Sequence, residues 1–428
     1  MPAPGNERCR ISLHRSREGL ANFLFNQHTL SWCGICLSRR MVESGCERRA
    51  GRSSDTPSGD PGGSAKTNRD ARFWQSGRMT MNKKLFGALA LLAAMGLPFS
   101  ANASLQTLSK LFVFGDSLSD GGNSGLVSQA ATGGTFPPPP YYKGQYSNGP
   151  VAVEYLWNSY NPGDTSFKPS EAGGTNYAIG GATTGLASYN SVNPNVPPGL
   201  QPAYENLGNS WQLTAFAAQA PVFDPATSLF VIWLFPNDLF YYQKTGMTPG
   251  TAVPGSPRPP IGDVGTLIAN GIANISESIG VLAAAGAQHF LVPNLVDLAK
   301  TPDGQGDLAL TALAQAFNLN LALALTTLDG LLTSAEIVQF DTYGALNRIV
   351  ADPGAYGFTN ASTPCLDAQA GTVCANPDQY VFWDGSHPTT RTYSILGAEF
   401  RAAVPEPETI LLVTISLLGL VVARRWAA

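Results

Sequence analysis

The residues best suited to chemistry begin with one serine that follows an apolar run. Ser117 lies in the turn Gly115-Asp116-Ser117-Leu118, directly after the run 110–115. A serine in a glycine-containing turn between a strand and a helix is exposed at the edge of a sheet, beside backbone N–H groups without partners. The position suits a nucleophile whose oxyanion must be held. Taken alone, the four-residue motif is equally compatible with a helix N-cap.

A histidine and an aspartate far along the chain supply the other groups that a serine nucleophile needs. The segment 384–389 is DGSHPT, with Asp384 three residues before His387. A serine hydrolase needs a base of near-neutral pKa and a carboxylate that fixes the tautomer of that base. Between residues 104 and 403 the only other histidine is His289, which opens an apolar strand and is interpreted as structural. The pattern predicts Ser117, His387 and Asp384 as a catalytic triad.

Four sequence blocks together resemble the GDSL/SGNH hydrolases across about residues 111–401. They are GDSLSDGGN at 115–123, NYAIGGATT at 176–184, FPND at 235–238 and DGSHPT at 384–389. The resemblance implies a carboxylic ester hydrolase that forms an acyl-enzyme and uses no metal or organic cofactor. It also implies an oxyanion hole made by the N–H of Ser117, the N–H of Gly181 or its neighbour Gly180, and the side-chain amide of Asn237.

One position departs from the pattern of that family. The third block usually has glycine where this chain has Phe235. If residues 235–237 continue an extended strand, Phe235 and Asn237 share one face. We therefore expect the ring to line the acyl pocket and to favour short acyl groups. The alternative is a ring packed in the core, with chain-length preference set elsewhere.

The elements that must position these residues are short apolar runs separated by helical patterns. The apolar runs predict strands at 110–115, 228–235, 289–293 and 336–341. The spacing of apolar residues predicts helices at 262–285 and 308–332. Such strands indicate an α/β protein with a central parallel sheet covered on both faces. The resemblance implies the same three-layer αβα sandwich, of the flavodoxin-like type. Open sheets of this kind place their sites at the carboxyl ends of the strands.

Charge and cysteine content divide the 428 residues into regions of different character. Residues 104–403 carry 9 Lys and Arg against 21 Asp and Glu, and an acidic body of this kind disfavours nucleic-acid binding. The same region holds two cysteines, Cys365 and Cys374, which predict a local disulfide in an exported protein. We therefore expect one hydrolase domain over residues 104–403.

Residues 81–103 have the order of a secretory signal peptide. Lys83 and Lys84 precede the apolar run 85–97, and Ala101-Asn102-Ala103 offers a site for signal peptidase. A buried core helix is the alternative interpretation. Because a signal peptide should begin a chain, residues 1–80 are interpreted as an extension from a start codon assigned too early, untranslated or disordered. The leader predicts export.

The segment 404–428 resembles the PEP-CTERM sorting signal of Gram-negative bacteria. Pro405-Glu406-Pro407 is followed by the apolar run 409–423 and by Arg424-Arg425. As a helix the run would reach roughly 22 Å, short of the hydrocarbon core of about 30 Å. The resemblance implies transient anchoring in the inner membrane, cleavage by an exosortase, and a final place in the periplasm, at the cell surface or outside the cell. An ordinary tail anchor is the alternative.

The substrate class is less determined than the chemistry. A lipid or simple carboxyl ester is the first expectation, because the branch resembled includes plant GDSL esterases and bacterial lecithinase-like lipases. An acetyl-polysaccharide esterase is the second, since proteins with this sorting signal are often associated with exopolysaccharide. A matrix protein that binds carbohydrate on a decayed hydrolase fold is a third, against which the intact Ser117, Asn237, Asp384 and His387 argue.

Overall fold

A four-stranded parallel sheet forms the centre of the protein. In the computed structural model, which describes residues 105–404, the strands are hydrogen bonded in chain order: β1 (Lys110–Gly115), β2 (Ser228–Trp233), β3 (His289–Pro293) and β4 (Glu336–Phe340). All three pairings are parallel. The expected N-terminal extension, signal peptide and Pro-Glu-Pro segment lie outside the described residues.

A fifth extended segment lies along the other edge of β1. The N–H of Val113 donates to the carbonyl of Thr175 at 3.1 Å, and Tyr177 and Ile179 donate to Val113 and Gly115 at 2.8 and 3.2 Å. Counted as the second strand, this segment makes the strand order 2-1-3-4-5, in which the chain changes direction at β1. Open sheets bind ligands at such a switch point, beyond the carboxyl ends of the strands.

Helices cover the sheet on both sides. The described residues form eight α-helices: α1 (Asn123–Thr132), α2 (Ala152–Tyr160), α3 (Asn209–Gln219), α4 (Pro236–Thr245), α5 (Val264–Ala284), α6 (Leu308–Leu331), α7 (Thr342–Ala351) and α8 (Thr390–Ala403). The helices predicted over 262–285 and 308–332 are α5 and α6. The prediction of an α/β sandwich around a parallel sheet is confirmed.

Aromatic contacts show how the two faces of the sheet are filled. Phe230 of β2 packs edge-on against Phe216 of α3, with ring centroids 6.0 Å apart. Three residues later, Trp233 points to the opposite face and packs against Phe400 of α8 at 5.6 Å. Phe340 of β4 meets the same Phe400 ring at 4.8 Å. Side-chain alternation in the buried strands therefore ties both helical layers to the sheet.

Helices α5 and α6 form part of one helical layer. Both are long and apolar enough, by length and composition alone, to cross a membrane, with mean hydropathies of 1.3 and 1.6. Helix α5 packs against α6, and α6 also contacts β4. Leu319 and Leu323 on the outer side of α6 are 64% and 61% exposed. These contacts place both helices in the sandwich, although α6 presents apolar surface to its surroundings.

A small hairpin adjoins the last part of the domain. Strands β5 (Leu366–Asp367) and β6 (Thr372–Val373) are antiparallel, and a disulfide joins Cys365 to Cys374 beside them. Cys365 and Leu366 pack with Trp383 in an apolar cluster of their own. The N–H of Leu366 also donates to the carbonyl of Trp383 at 2.7 Å. The hairpin therefore supports the backbone that leads into Asp384.

Candidate active site

Ser117 lies in a tight turn at the carboxyl end of β1. The Asp116 side chain accepts the N–H of Leu118 at 3.0 Å, and the Asp116 carbonyl accepts the N–H of Ser119 at 3.1 Å. Helix α1 begins only at Asn123, behind the N-cap Gly122. The alternative in which Ser117 caps a helix is therefore wrong, and its hydroxyl is available for other bonds.

Ser117, His387 and Asp384 form one hydrogen-bonded chain. The Nε2 atom of His387 lies 2.8 Å from the Ser117 Oγ, although the two residues are 270 positions apart in sequence. On the other side of the ring, Nδ1 lies 2.8 Å and 2.9 Å from the two carboxylate oxygens of Asp384. The loop is held in shape because Asp384 Oδ1 also accepts the backbone N–H groups of Ser386 and His387, at 2.9 and 2.7 Å.

The surroundings of the imidazole favour its charged form. Burial opposes protonation of His387, but the charge and hydrogen bond of Asp384, with the charges of Asp116 and Asp303, outweigh it and raise the pKa of His387. Burial likewise acts to raise the pKa of Asp384, yet attraction by His387 and the hydrogen bonds from His387, Ser386 and Tyr141 lower that pKa overall. The pair therefore combines an anionic carboxylate with a basic imidazole.

Two backbone N–H groups in the turns around Ser117 and Gly181 have no hydrogen-bond partner in the part of the chain that the structure describes. Among the described residues, no acceptor is bonded to the N–H of Ser117 or of Gly181. The N–H of Gly180, by contrast, is taken by Asp120 Oδ2 and Ser124 Oγ, both at 2.9 Å. Gly181 has a φ of 80°, and a Cβ there would lie 2.5 Å from Asn190 Cγ. Of the two glycines considered from sequence, Gly181 is the one whose N–H is available.

Asn237 is the second residue of α4 and is 6% exposed. Its neighbour Asp238 is wholly buried and accepts both the N–H and the hydroxyl of Thr184. Burial raises the pKa of Asp238 to about 7, against the lowering effect of those bonds. Burial also raises the pKa of the nearby Asp116 carboxyl to about 7, although a hydrogen bond from the Asn237 amide acts to lower it. The blocks at 115–123, 176–184 and 235–238 thus meet at one place.

Phe235 does not line an acyl pocket, so the sequence-based expectation is wrong. Its ring is 0% exposed and stacks on Phe317 of α6, with ring centroids 3.8 Å apart. A Cβ on Gly271 of α5 would lie 2.5 Å from the ring, so the glycine makes room for it. The expectation failed because the chain turns into α4 at Pro236, after a φ of 132° at Phe235, and strand alternation does not extend to Asn237.

Three residues beside the chain of Ser117, His387 and Asp384 were missed from sequence. The hydroxyl of Tyr141 donates to Asp384 Oδ2 at 2.8 Å. The ring of Tyr146 lies 5.1 Å from the His387 ring, and Asp303 Oδ2 accepts the hydroxyl of Ser386 at 3.1 Å. Tyr146 opens the segment YSNGPVAVEYL at 146–156, a further match to the GDSL/SGNH hydrolases beside the four blocks, so it carried a usable signal. Tyr141 follows a run of prolines and carries none.

An open cavity of about 360 Å³ is lined by residues between 187 and 206 and by Tyr241. One wall comes from Ala187, Ser191 and Val192, which follow Gly181 in the chain. Tyr241, one helical turn after Asn237, closes another side. The remaining lining is contributed by Pro198, Gln201, Pro202, Glu205 and Asn206. The cavity combines apolar walls with amide, hydroxyl and carboxylate groups. In residues 105–404, no cluster of three or more His, Cys, Asp or Glu could hold a metal ion.

A serine at the end of the first strand of a parallel sheet, bonded to a His–Asp pair from the last loop, is the arrangement that serine hydrolases use. The model of the GDSL-like lipase/acylhydrolase family matches residues 111–400, and the chain belongs to this family. It is 26% identical over 316 residues to the thermolabile hemolysin of Vibrio parahaemolyticus, covering 69% of this chain and 64% of that protein. This chain therefore spans less than two thirds of that relative.

Two further relatives have similar identity. The phosphatidylcholine-sterol acyltransferase of Aeromonas hydrophila is 26% identical over 284 residues, covering 66% of this chain and 72% of that protein. A GDSL esterase/lipase of Arabidopsis thaliana is 24% identical over 332 residues, covering 69% and 87%. The region that the family model matches, residues 111–400, coincides with the sandwich domain.

Substitution of Phe235 tests its place in the core. Phe235→Ala and Phe235→Gly both remove the ring, which should cost about 3–5 kcal/mol of unfolding free energy. Glycine also relieves the positive φ, so the glycine variant should be more stable than the alanine variant by about 1 kcal/mol. Denaturant unfolding measures both. An alanine variant as stable as the wild type would contradict the stacking on Phe317.

Proposed function

We propose that the protein is a serine esterase or lipase that hydrolyses carboxylic esters through Ser117, His387 and Asp384. The observation that carries the proposal is the unbroken hydrogen-bonded chain from the Ser117 hydroxyl through both ring nitrogens to the Asp384 carboxylate. Membership of the lipase/acylhydrolase family supports the same reaction class.

Each step of this mechanism has a group in the site to carry it out. His387 Nε2 takes the Ser117 proton while Oγ attacks the ester carbonyl, and Asp384 stabilises the imidazolium that forms. The N–H groups of Ser117 and Gly181 and the amide of Asn237 hold the tetrahedral oxyanion. His387 then returns the proton to the leaving alcohol. A water molecule hydrolyses the acyl-enzyme in the same manner, with His387 again as base.

Two carboxyl groups besides Asp384 stabilise the positive charge that develops on the imidazole of His387. Asp116 and Asp303 both favour the protonated ring through their charges. In the active enzyme, where His387 starts neutral, the imidazolium forms as Ser117 loses its proton, so attraction to these groups is stronger in the transition state than in the ground state. The site therefore stabilises the step that activates the nucleophile.

A lipid or simple carboxyl ester is the substrate class that we favour. Two of the relatives carry the names hemolysin and phosphatidylcholine-sterol acyltransferase, and the second name contains a lipid ester. An acetylated polysaccharide is the second candidate. Its support is the resemblance of residues 404–428 to a sorting signal whose proteins are often associated with exopolysaccharide.

We further propose that the hydrolase acts outside the cytoplasm. The proposal rests on the leader-like residues 81–103 and on the resemblance of residues 404–428 to a sorting signal. The Cys365–Cys374 disulfide supports it, because disulfides persist mainly in oxidising compartments. Signal peptidase and an exosortase are the processing enzymes implied.

Ser117→Ala should abolish ester hydrolysis while the protein remains folded. Loss of the nucleophile typically lowers kcat by about 10⁴-fold or more. Initial rates with p-nitrophenyl acetate, p-nitrophenyl octanoate and acetylated xylan measure activity and substrate class together. Ser119→Ala is the matched control, since that buried hydroxyl has no hydrogen-bond partner and its removal should leave the rates within about twofold. Half the wild-type kcat in Ser117→Ala would exclude the proposed nucleophile.

The rate of ester hydrolysis should fall as the pH drops through a value above the ordinary pKa of histidine. His387 must be neutral to accept the Ser117 proton, and its pKa is raised, so kcat/KM should decline as pH falls through a value above about 6.5. Asp303→Asn removes one of the charges that raise this pKa and should move the acid limb downward. Profiles of kcat/KM from pH 5 to 9 give the position of the acid limb in the wild type and in Asp303→Asn. An acid limb below pH 6 in the wild type would contradict the electrostatics.

Processing at both ends tests the proposed location. In a Gram-negative host that contains an exosortase, the exported protein should begin at Ser104 and should lack residues 409–428. Intact-mass analysis of the extracytoplasmic fraction measures both ends. A parallel host without exosortase should retain the C-terminal segment. Export of a protein that keeps residues 409–428 in both hosts would exclude the sorting-signal interpretation.

A further inference from the structure

The Asp384 carboxylate has an anchor outside its own loop. Oδ1 accepts the N–H groups of Ser386 and His387, so local backbone holds that oxygen. Oδ2 accepts no backbone N–H, and its partners are the Tyr141 hydroxyl at 2.8 Å and His387 Nδ1 at 2.8 Å. One of the two carboxylate oxygens is therefore held in place by a side chain 243 residues away in sequence.

We propose that Tyr141 is a positioning residue for the reaction: its hydroxyl fixes Asp384 Oδ2 and thereby sets the orientation and basicity of His387. The inference rests on the proposed function of the Ser117 site. Tyr141 does not meet the reacting atoms, and it acts on them through Asp384 and His387 in sequence.

The packing around Tyr141 leaves its hydroxyl little freedom. The backbone N–H of Tyr141 donates to the carbonyl of Pro138 at 3.1 Å. Its ring packs edge-on against Trp383 and Tyr146, with centroids 6.1 and 6.4 Å away. The same ring lies against the apolar cluster that contains Cys365 of the disulfide. A phenylalanine ring could keep all these contacts, so the hydroxyl can be removed without disturbing the packing.

The hydroxyl is a donor at every pH at which the protein would act. Burial, with the nearby charge of Asp384, raises the pKa of Tyr141 far above its usual range. Besides Asp384, the titratable groups that face Tyr141 are Tyr146 and Asp303. The Asp384 carboxylate can only accept, so the direction of this hydrogen bond is fixed.

Donation from Tyr141 weakens the pull of Asp384 on the imidazolium. A carboxylate whose charge is partly satisfied by a hydroxyl attracts His387 less than a bare one. Asp116 and Asp303 also act on His387 through their charges. Loss of the hydroxyl should therefore have two separable effects, a less ordered Asp384 and a more basic His387.

Tyr141→Phe in the full-length protein tests both effects by kinetics. We expect kcat to fall about tenfold with KM changed less than twofold, because the lost bond orients a group that works in the transition state. The acid limb of kcat/KM should move up by about half a pH unit. Tyr142→Phe is the matched control, since the neighbouring ring makes no contact with Asp384, and it should behave as the wild type. Kinetics of Tyr141→Phe within twofold of the wild type, with an unmoved acid limb, would overturn the proposal.

A titration that needs no activity separates this inference from the proposed function. The imidazole signals of the wild type and of Tyr141→Phe are followed by NMR between pH 4 and 9, and the His387 signal is identified by its loss in His387→Gln. The His387 pKa should rise by about half a unit in Tyr141→Phe. An unmoved His387 pKa would show that Tyr141 serves packing alone and would overturn the proposal. If the wild type hydrolyses no ester but the pKa shift appears, the positioning holds and the proposed function fails.

Discussion

The hydrogen bond between His387 Nε2 and Ser117 Oγ is the constraint that the rest of the structure must satisfy. It joins two short motifs that are 270 residues apart, so the intervening chain must return to within 2.8 Å of its start. Each end is anchored separately. Ser117 is held by the buried strand β1, whereas His387 is followed at once by α8, whose Phe400 packs on β2 and β4. A hydrogen bond of this kind cannot supply the order that it needs, so the sandwich core must supply it.

Most of the polar residues in the family-like blocks serve to join the blocks to one another. Asp120 accepts the N–H groups of Gly122, Asn123, Ser124 and Gly180, and so ties the start of α1 to the Gly181 turn. Asp238 does the same between α4 and Thr184. Gln212 of α3 bonds both the N–H and the carbonyl of Gly115, at 2.8 and 2.7 Å. Buried bonds of this kind fix the backbone of the Ser117 and Gly181 turns, as the proposed oxyanion hole requires.

Phe235 shows how the family pattern can change without loss of the site. The backbone there has a φ of 132°, which glycine adopts freely and other residues adopt at a cost of about 1–3 kcal/mol. Burial of a phenylalanine ring against Phe317 offsets this cost, since loss of such a ring typically costs about 3–5 kcal/mol. The turn that precedes Asn237 is therefore stabilised by packing of the Phe235 ring against α5 and α6.

Local sequence was sufficient to predict the strands, the two long helices, the α/β class, and the residues that meet at the carboxyl end of β1. The strands and helices depend on periodicity and turn residues within a few positions of each other. Ser117, Asp384 and His387 were found because each lies in a short motif that can be read locally. Tertiary structure alone decided the direction of the Phe235 ring, the availability of the Gly181 N–H, and the place of Tyr141. In each case the deciding partner comes from a distant segment: Phe317 for the ring, Asp120 for the Gly180 N–H, and Asp384 for the tyrosine hydroxyl. A hydrogen bond or ring contact depends on where two segments meet in space, and no periodicity within either segment contains that information.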